Sequence, residues 1–166
     1  MSHHISIIIN IILIYLSISS GYTDYRYRLI YNTNTFGAIV TGLLLYSASF
    51  GLKGFMLSIE GLFLGISLVI IFYILGAMGG GDVKLFGAIG CLGGSSFVFQ
   101  VFVYSTIIGG IMGIIYIFYK KPFLESIQKL FYMVFHPFKA HKIEQIYLPY
   151  GIAISLSCLI ILYQGM

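Results

Sequence analysis

Long apolar runs separated by short glycine-rich or charged breaks set the pattern of this chain. Residues 5–20 carry no charge, and a polar interval with Asp24, Arg26 and Arg28 follows. A second run starts near residue 35 and reaches the turn Gly51-Leu52-Lys53-Gly54. A third covers 55–78, has one charge at Glu60, and ends in Gly79-Gly80-Gly81-Asp82. Residues 85–119 are again uncharged. As a single helix they would be about 52 Å long, far beyond a hydrocarbon core of roughly 30 Å. Gly93-Gly94-Ser95-Ser96 sits at a natural break, so the stretch reads as two spans, the first of them short and Gly-rich. The last run is 146–163.

The fold expected from this pattern is an all-α integral membrane protein with six transmembrane helices in one domain, residues 1–166. The spans fall at about 5–21, 35–52, 56–78, 82–94, 97–119 and 146–163. Between the last two, Phe123, Ile127, Leu130, Phe131, Val134 and Phe135 recur at helical spacing, while Glu125, Gln128 and Lys129 face elsewhere. That pattern predicts a cytoplasmic amphipathic helix over about 122–136, lying in the membrane interface and ended near Pro137. A signal peptide is the competing reading of the first run. It would want Lys or Arg before the apolar stretch, where only Ser2, His3 and His4 stand.

Composition sharpens the class. The chain has nine Lys or Arg and five Asp or Glu, 8% in all, against about 25% in soluble domains. With a mean hydropathy of +0.99, both a water-soluble globule and a disordered chain are excluded. The net charge of +4 comes from bases scattered through apolar sequence, so it reads as a topology signal and not as a nucleic-acid surface. Cys91 and Cys158 both lie in apolar runs without a CxxC pair, which leaves no zinc ribbon or redox motif. His3 and His4 have no further ligands nearby, and no metal is expected. Glu60, His136 and His141 read as interfacial or surface groups.

Orientation follows from the bases in short loops. Arg26, Arg28, Lys84, Lys120, Lys121, Lys129, Lys139 and Lys142 fall on one side of the predicted spans, and Lys53 alone on the other. The first side is therefore expected in the cytoplasm, with both termini outside.

The chain has two aspartates, Asp24 and Asp82, and this topology puts both at cytoplasmic ends of spans. Ionisable groups at the membrane are costly and are usually functional or paired. One reading makes them loop carboxylates balanced by Arg26 and Arg28, and by Lys84. The other makes them a working pair. Three glycines before Asp82 disfavour a continuous helix, at about 1 kcal/mol each relative to Ala. They suit a backbone that bends sharply or lets another chain approach. Two carboxylates held close cannot both ionise at low cost, so one stays acid while the other acts as base. Such a pair activates water against an amide carbonyl and protonates the leaving nitrogen.

Gly79-Gly80-Gly81-Asp82-Val83-Lys84-Leu85 resembles the GxGD-x-K-L motif of the bacterial type IV prepilin peptidases, which are membrane aspartyl proteases. The segment from Asp24 to Asn32 is similar to that family's first motif, an Asp followed after six residues by Ile-Pro-Asn, with Tyr31 standing where the family has Pro. Leu148-Pro149-Tyr150-Gly151 is similar to its last-span Pro-Tyr/Phe-Gly motif, in particular that of the Tad/Flp-pilus branch. The resemblance implies six spans, a catalytic pair Asp24 and Asp82, and active-site support from Gly79, Gly80, Gly81, Lys84, Asn32, Pro149, Tyr150 and Gly151. It implies a prepilin substrate with a basic leader before an apolar helix, cut at the inner face of a prokaryotic cell membrane. Larger relatives add a cytoplasmic domain with two CxxC pairs that performs N-methylation. Residues 21–35 leave no room for one, so cleavage alone is expected, without S-adenosylmethionine, zinc or other cofactor.

Two other readings compete. Presenilin-like GxGD proteases pair Tyr-Asp with Pro-Ala-Leu, but here Thr23 precedes Asp24 and Tyr150 follows Pro149. A small transport or assembly component would use Asp24 and Asp82 for protons or a basic partner, and their substitution would then alter ion flux.

Overall fold

The computed structural model describes residues 3–120 and 150–165, all but the short connections being helical. The elements are α1 (His3–Tyr27), α2 (Asn32–Ile74), α3 (Gly80–Lys120) and α4 (Tyr150–Gln164). Among the described residues, three helices are long and apolar enough to cross a membrane, and α4 is a shorter apolar one. The predicted interfacial helix at about 122–136 and Pro149 lie outside the described residues.

Both long helices are broken by a glycine in a left-handed conformation. Gly51 takes φ 58° and ψ −140° within α2, and Gly94 takes φ 81° and ψ 176° within α3. Only glycine enters these regions without a steric cost. Each break reverses the chain: across Gly94 the Phe86 and Phe102 ring centroids lie 6.2 Å apart, and across Gly51 the contacts with α3 run in opposite senses. Gly42 and Tyr46 of the first arm of α2 meet Cys91 and Leu92. From the second arm, Ser58, Gly61 and Gly65 meet Cys91, Gly90 and Phe86 in turn. The first arm of α3 thus runs parallel to one arm of α2 and antiparallel to the other.

That central arm is buried throughout residues 85–92, with Leu85, Phe86, Ile89 and Leu92 fully enclosed. A helix covered on every side has no polar face to show, which explains its continuous apolar sequence. Its closeness to α2 depends on missing side chains. A Cβ on Gly61 would overlap the Gly90 carbonyl, and a Cβ on Gly90 would overlap the Gly61 carbonyl. Small residues four apart let helix backbones approach in this way. Cys91 belongs to the same seam: Ser58 donates to its carbonyl at 2.8 Å, and its thiol donates to the Ile39 carbonyl at 3.3 Å.

The other strong pairing joins α1 and α4 antiparallel. Gly151 abuts Asp24, and Ser155 lies 3.0 Å from where a Gly21 Cβ would be. Ser17, Ser20, Ser155 and Ser157 are buried while Ile11, Tyr15, Ile18, Phe63, Ile71 and Ile107 are exposed. Apolar groups outside and hydroxyls inside suit a lipid solvent, which makes this a membrane protein.

The α1 boundary corrects one expectation. Asp24 does not sit in a loop after the first span, because the helix continues to Tyr27. Nothing from Gly21 to Tyr27 breaks a helix, and α4 covers the face that carries Gly21 and Asp24. The helix stops when Arg28 turns left-handed, at φ 54°, and its N–H donates to the Asp24 carbonyl at 2.9 Å. This is the αL cap that usually employs Gly, and a non-glycine there costs about 1 kcal/mol.

Candidate active site

The end of α1, the turn into α2, the turn from α2 to α3 and the start of α4 meet at one end of the bundle. They enclose a cavity of about 660 Å³. Asp24 and Asp82 both line it, together with Asn32, Gly79, Gly80, Gly81, Lys84 and Tyr150. Of the other residues singled out in the sequence, Gly151 stands behind Asp24, and Pro149 lies outside the described residues. Arg28, Ile30, Tyr73 and Met78 also line the cavity. Arg28 stands out in the sequence as a base near Asp24, and Ile30 as part of the motif that ends at Asn32; Tyr73 and Met78 lie in an apolar run and carry no signal of their own.

Asp82 occupies the first turn of α3 and is 8% exposed. Its Oδ2 accepts the Gly79 N–H at 3.0 Å, while its own N–H donates to the Gly79 carbonyl at 3.1 Å. A side chain in the third helical position that reaches back to the residue before the helix is half of a capping box. The carboxylate is fixed within its own segment, and it also meets the positive end of the helix dipole. The glycines around it have distinct settings. A Cβ on Gly81 would come within 3.1 Å of the Ile30 side chain, so Gly81 brings the turn before α2 against the start of α3. Gly80 lies beside the Tyr73 ring.

Asp24 is 7% exposed, and its Oδ2 makes no hydrogen bond of good geometry. The backbone N–H groups of Gly151 and Ile152, in the first turn of α4, face the carboxyl group. A Cβ on Gly151 would stand 2.7 Å from Oδ2 and 2.9 Å from the Asp24 Cγ. Gly151 is thus what gives the carboxyl group room. A buried polar atom without a partner costs roughly 1–3 kcal/mol, and such costs persist chiefly where function needs them.

Lys84 does not balance Asp82. Its ammonium donates to Asn32 Oδ1 at 2.9 Å and lies 5.7 Å above the Phe36 ring. Asn32 begins α2, and its carbonyl accepts the Thr35 hydroxyl at 3.1 Å. The Lys84–Asn32 bond therefore ties the Asp82-bearing start of α3 to the start of α2, four residues after the Arg28 turn that ends the helix carrying Asp24.

The sequence model of the type IV leader peptidase family matches residues 11–114. The chain belongs to this family. Both aspartates fall within the matched residues, and the Tyr150-Gly151 segment lies beyond them. No curated protein and no solved structure matches the chain. Membership makes it a leader peptidase, a protein that hydrolyses an amide bond in a membrane-associated precursor. That reaction needs a group to take a proton from water and a group to give one to the departing nitrogen. Asp24 and Asp82 are two ionisable groups that line the same cavity.

Proposed function

We propose that this leader peptidase is an aspartyl endopeptidase that removes the short basic leader of Flp-like type IV prepilins at the cytoplasmic membrane face. The reading rests on one observation above the rest: the chain's two aspartates, brought from α1 and α3, line the same cavity. The Asp24–Asp82 pair shares one proton. The ionised carboxylate takes a proton from a water molecule, whose oxygen attacks the scissile carbonyl carbon. The protonated carboxyl hydrogen-bonds the carbonyl oxygen and then gives its proton to the amide nitrogen as the C–N bond breaks. Gly79, Gly80 and Gly81 leave backbone open for an extended leader to approach. The arms divided at Gly51 and Gly94, with α1 and α4, make six membrane crossings, and both termini lie outside. The reaction ends at cleavage, without methylation and without a cofactor.

The test is co-expression with a prepilin that carries a basic leader, a Gly at the cut and about 20 apolar residues. Asp24→Asn or Asp82→Asn is expected to lower leader removal by about 10²–10⁴-fold while the protein still inserts. Near-normal cleavage by either variant would break the pair assignment. Cysteines placed at positions 25 and 83 are expected to label from the cytoplasmic side, and labelling from outside would overturn the topology.

A further inference from the structure

Asp82 is fixed by its own segment, but no bond of good geometry holds the inner oxygen of Asp24. Its position is set by what α4 allows, so the placement of the start of α4 becomes the question. Tyr150 is the first residue of α4 and adjoins Gly151. Its ring lies directly on Gly109, in the second arm of α3: a Cβ at Gly109 would overlap the ring edge, with two further ring atoms 3.1 Å away. The Tyr150 hydroxyl lies beside the hydroxyls of Thr106 and Ser105. Those two donate their protons to the Phe102 carbonyl, at 2.8 Å and 3.0 Å, which leaves their oxygens to accept.

From this geometry we infer that Gly109 and Tyr150 are positioning residues for the reaction: the Tyr150 ring seated on Gly109 fixes the first turn of α4, and that turn sets the Asp24 carboxyl group against Gly151. Gly109 touches neither aspartate. It acts through Tyr150 because ring and Gly151 are neighbours in one helical turn, and a rotation of that turn moves the α4 backbone facing Asp24. The Gly151 position tolerates little movement, since a Cβ there would already stand 2.7 Å from the Asp24 carboxyl oxygen. Displacements of about 1 Å at a reacting group cost up to about 100-fold in rate.

The inference rests on the peptidase reading, and the experiment separates the two. Purified protein is assayed with the prepilin described above. Gly109→Ala and Tyr150→Ala are each expected to lower kcat by about 10- to 100-fold with KM nearly unchanged. Tyr150→Phe, which keeps the ring on Gly109, is expected to recover most of what Tyr150→Ala loses. The double variant Gly109→Ala/Tyr150→Ala is expected to be no slower than Tyr150→Ala, because an added methyl has no ring to displace. Wild-type kcat in Gly109→Ala, or losses that multiply in the double variant, would overturn the seat. Maleimide labelling of Asp24→Cys reads the same geometry without activity. In a Cys91→Ser/Cys158→Ser background the thiol at 24 is expected to be protected, and exposed once Gly109→Ala is added. If the parent leaves the prepilin uncut, the peptidase reading fails and the labelling alone decides the seat, with unchanged protection counting against it.

Discussion

The carboxylate of Asp82 is held by a backbone group three residues away, whereas that of Asp24 is faced by a helix from the far end of the sequence. The Asp82 segment opens a helix arm that is buried throughout 85–92 and joined to α2 backbone to backbone. The Asp24 segment belongs to α1, which leans chiefly on α4 and only lightly on α2 and α3. One carboxyl group is anchored by a cap that also stabilises its helix. The other occupies a site made by an absent Cβ and keeps a buried oxygen unpaired. The proposed hydrolytic pair gains from that inequality, because two groups in unlike surroundings divide the acid and base roles more readily than two in the same one.

The comparison can be broken most severely at the glycine seam. Gly90→Leu forces a side chain into the Gly61 backbone, and overpacking of this kind costs about 1–3 kcal/mol or more. Thermal unfolding in detergent is expected to show a large loss, with cleavage lost because the Asp82 arm leaves its place. An unchanged unfolding temperature would mean that α2 and α3 do not meet as described. A finer contrast comes from stability measured at the two aspartates. Asp82→Ala removes the cap acceptor and is expected to destabilise by about 1 kcal/mol, whereas Asp82→Asn keeps an acceptor for the Gly79 N–H and loses less. Asp24→Ala removes an unpaired buried oxygen and is expected to stabilise by about 1 kcal/mol. Changes of the same sign at both sites would erase the distinction. The smallest effect is expected at Lys84. Lys84→Met gives up the bond to Asn32 and the contact with the Phe36 ring, worth about 0.5–1 kcal/mol at an exposed site. Lys84→Arg should restore part of it in the same unfolding assay.

Much of this contrast was legible along the chain, and unequally. Asp82 follows three glycines at the edge of an apolar run, so a helix start with a carboxylate in its first turn is a local matter of propensity and capping. The break at Gly94 answers to a length argument, since an uncharged stretch of about 52 Å cannot remain one span. Asp24 was visible as an acid beside the first apolar run, but its place on the helix was not. The sequence there has no breaker, and α4 packing carries α1 on to Tyr27. Lys84 stands two residues from Asp82 and invited an electrostatic pairing. On a helix, residues two apart point to different sides, and the ammonium reaches Asn32 instead. Gly109 carried no signal at all, because a glycine in an apolar span looks alike whether it faces lipid or an aromatic ring.

The amino-acid sequence by itself determined the solvent, the helical class and the scarcity of chemistry. Only 8% of residues are charged and only two are aspartates, so apolar periodicity and composition leave few alternatives. Tertiary structure alone decided which groups meet: Asp24 with the start of α4, Lys84 with Asn32, and the Tyr150 ring with Gly109. The physical reason is that hydropathy and capping are properties of neighbouring residues, whereas a cavity is made by surfaces far apart in the chain. What shapes this one is in good part the absence of atoms, at Gly81, Gly109 and Gly151, and an absent Cβ acquires meaning only from the side chain that fills its place.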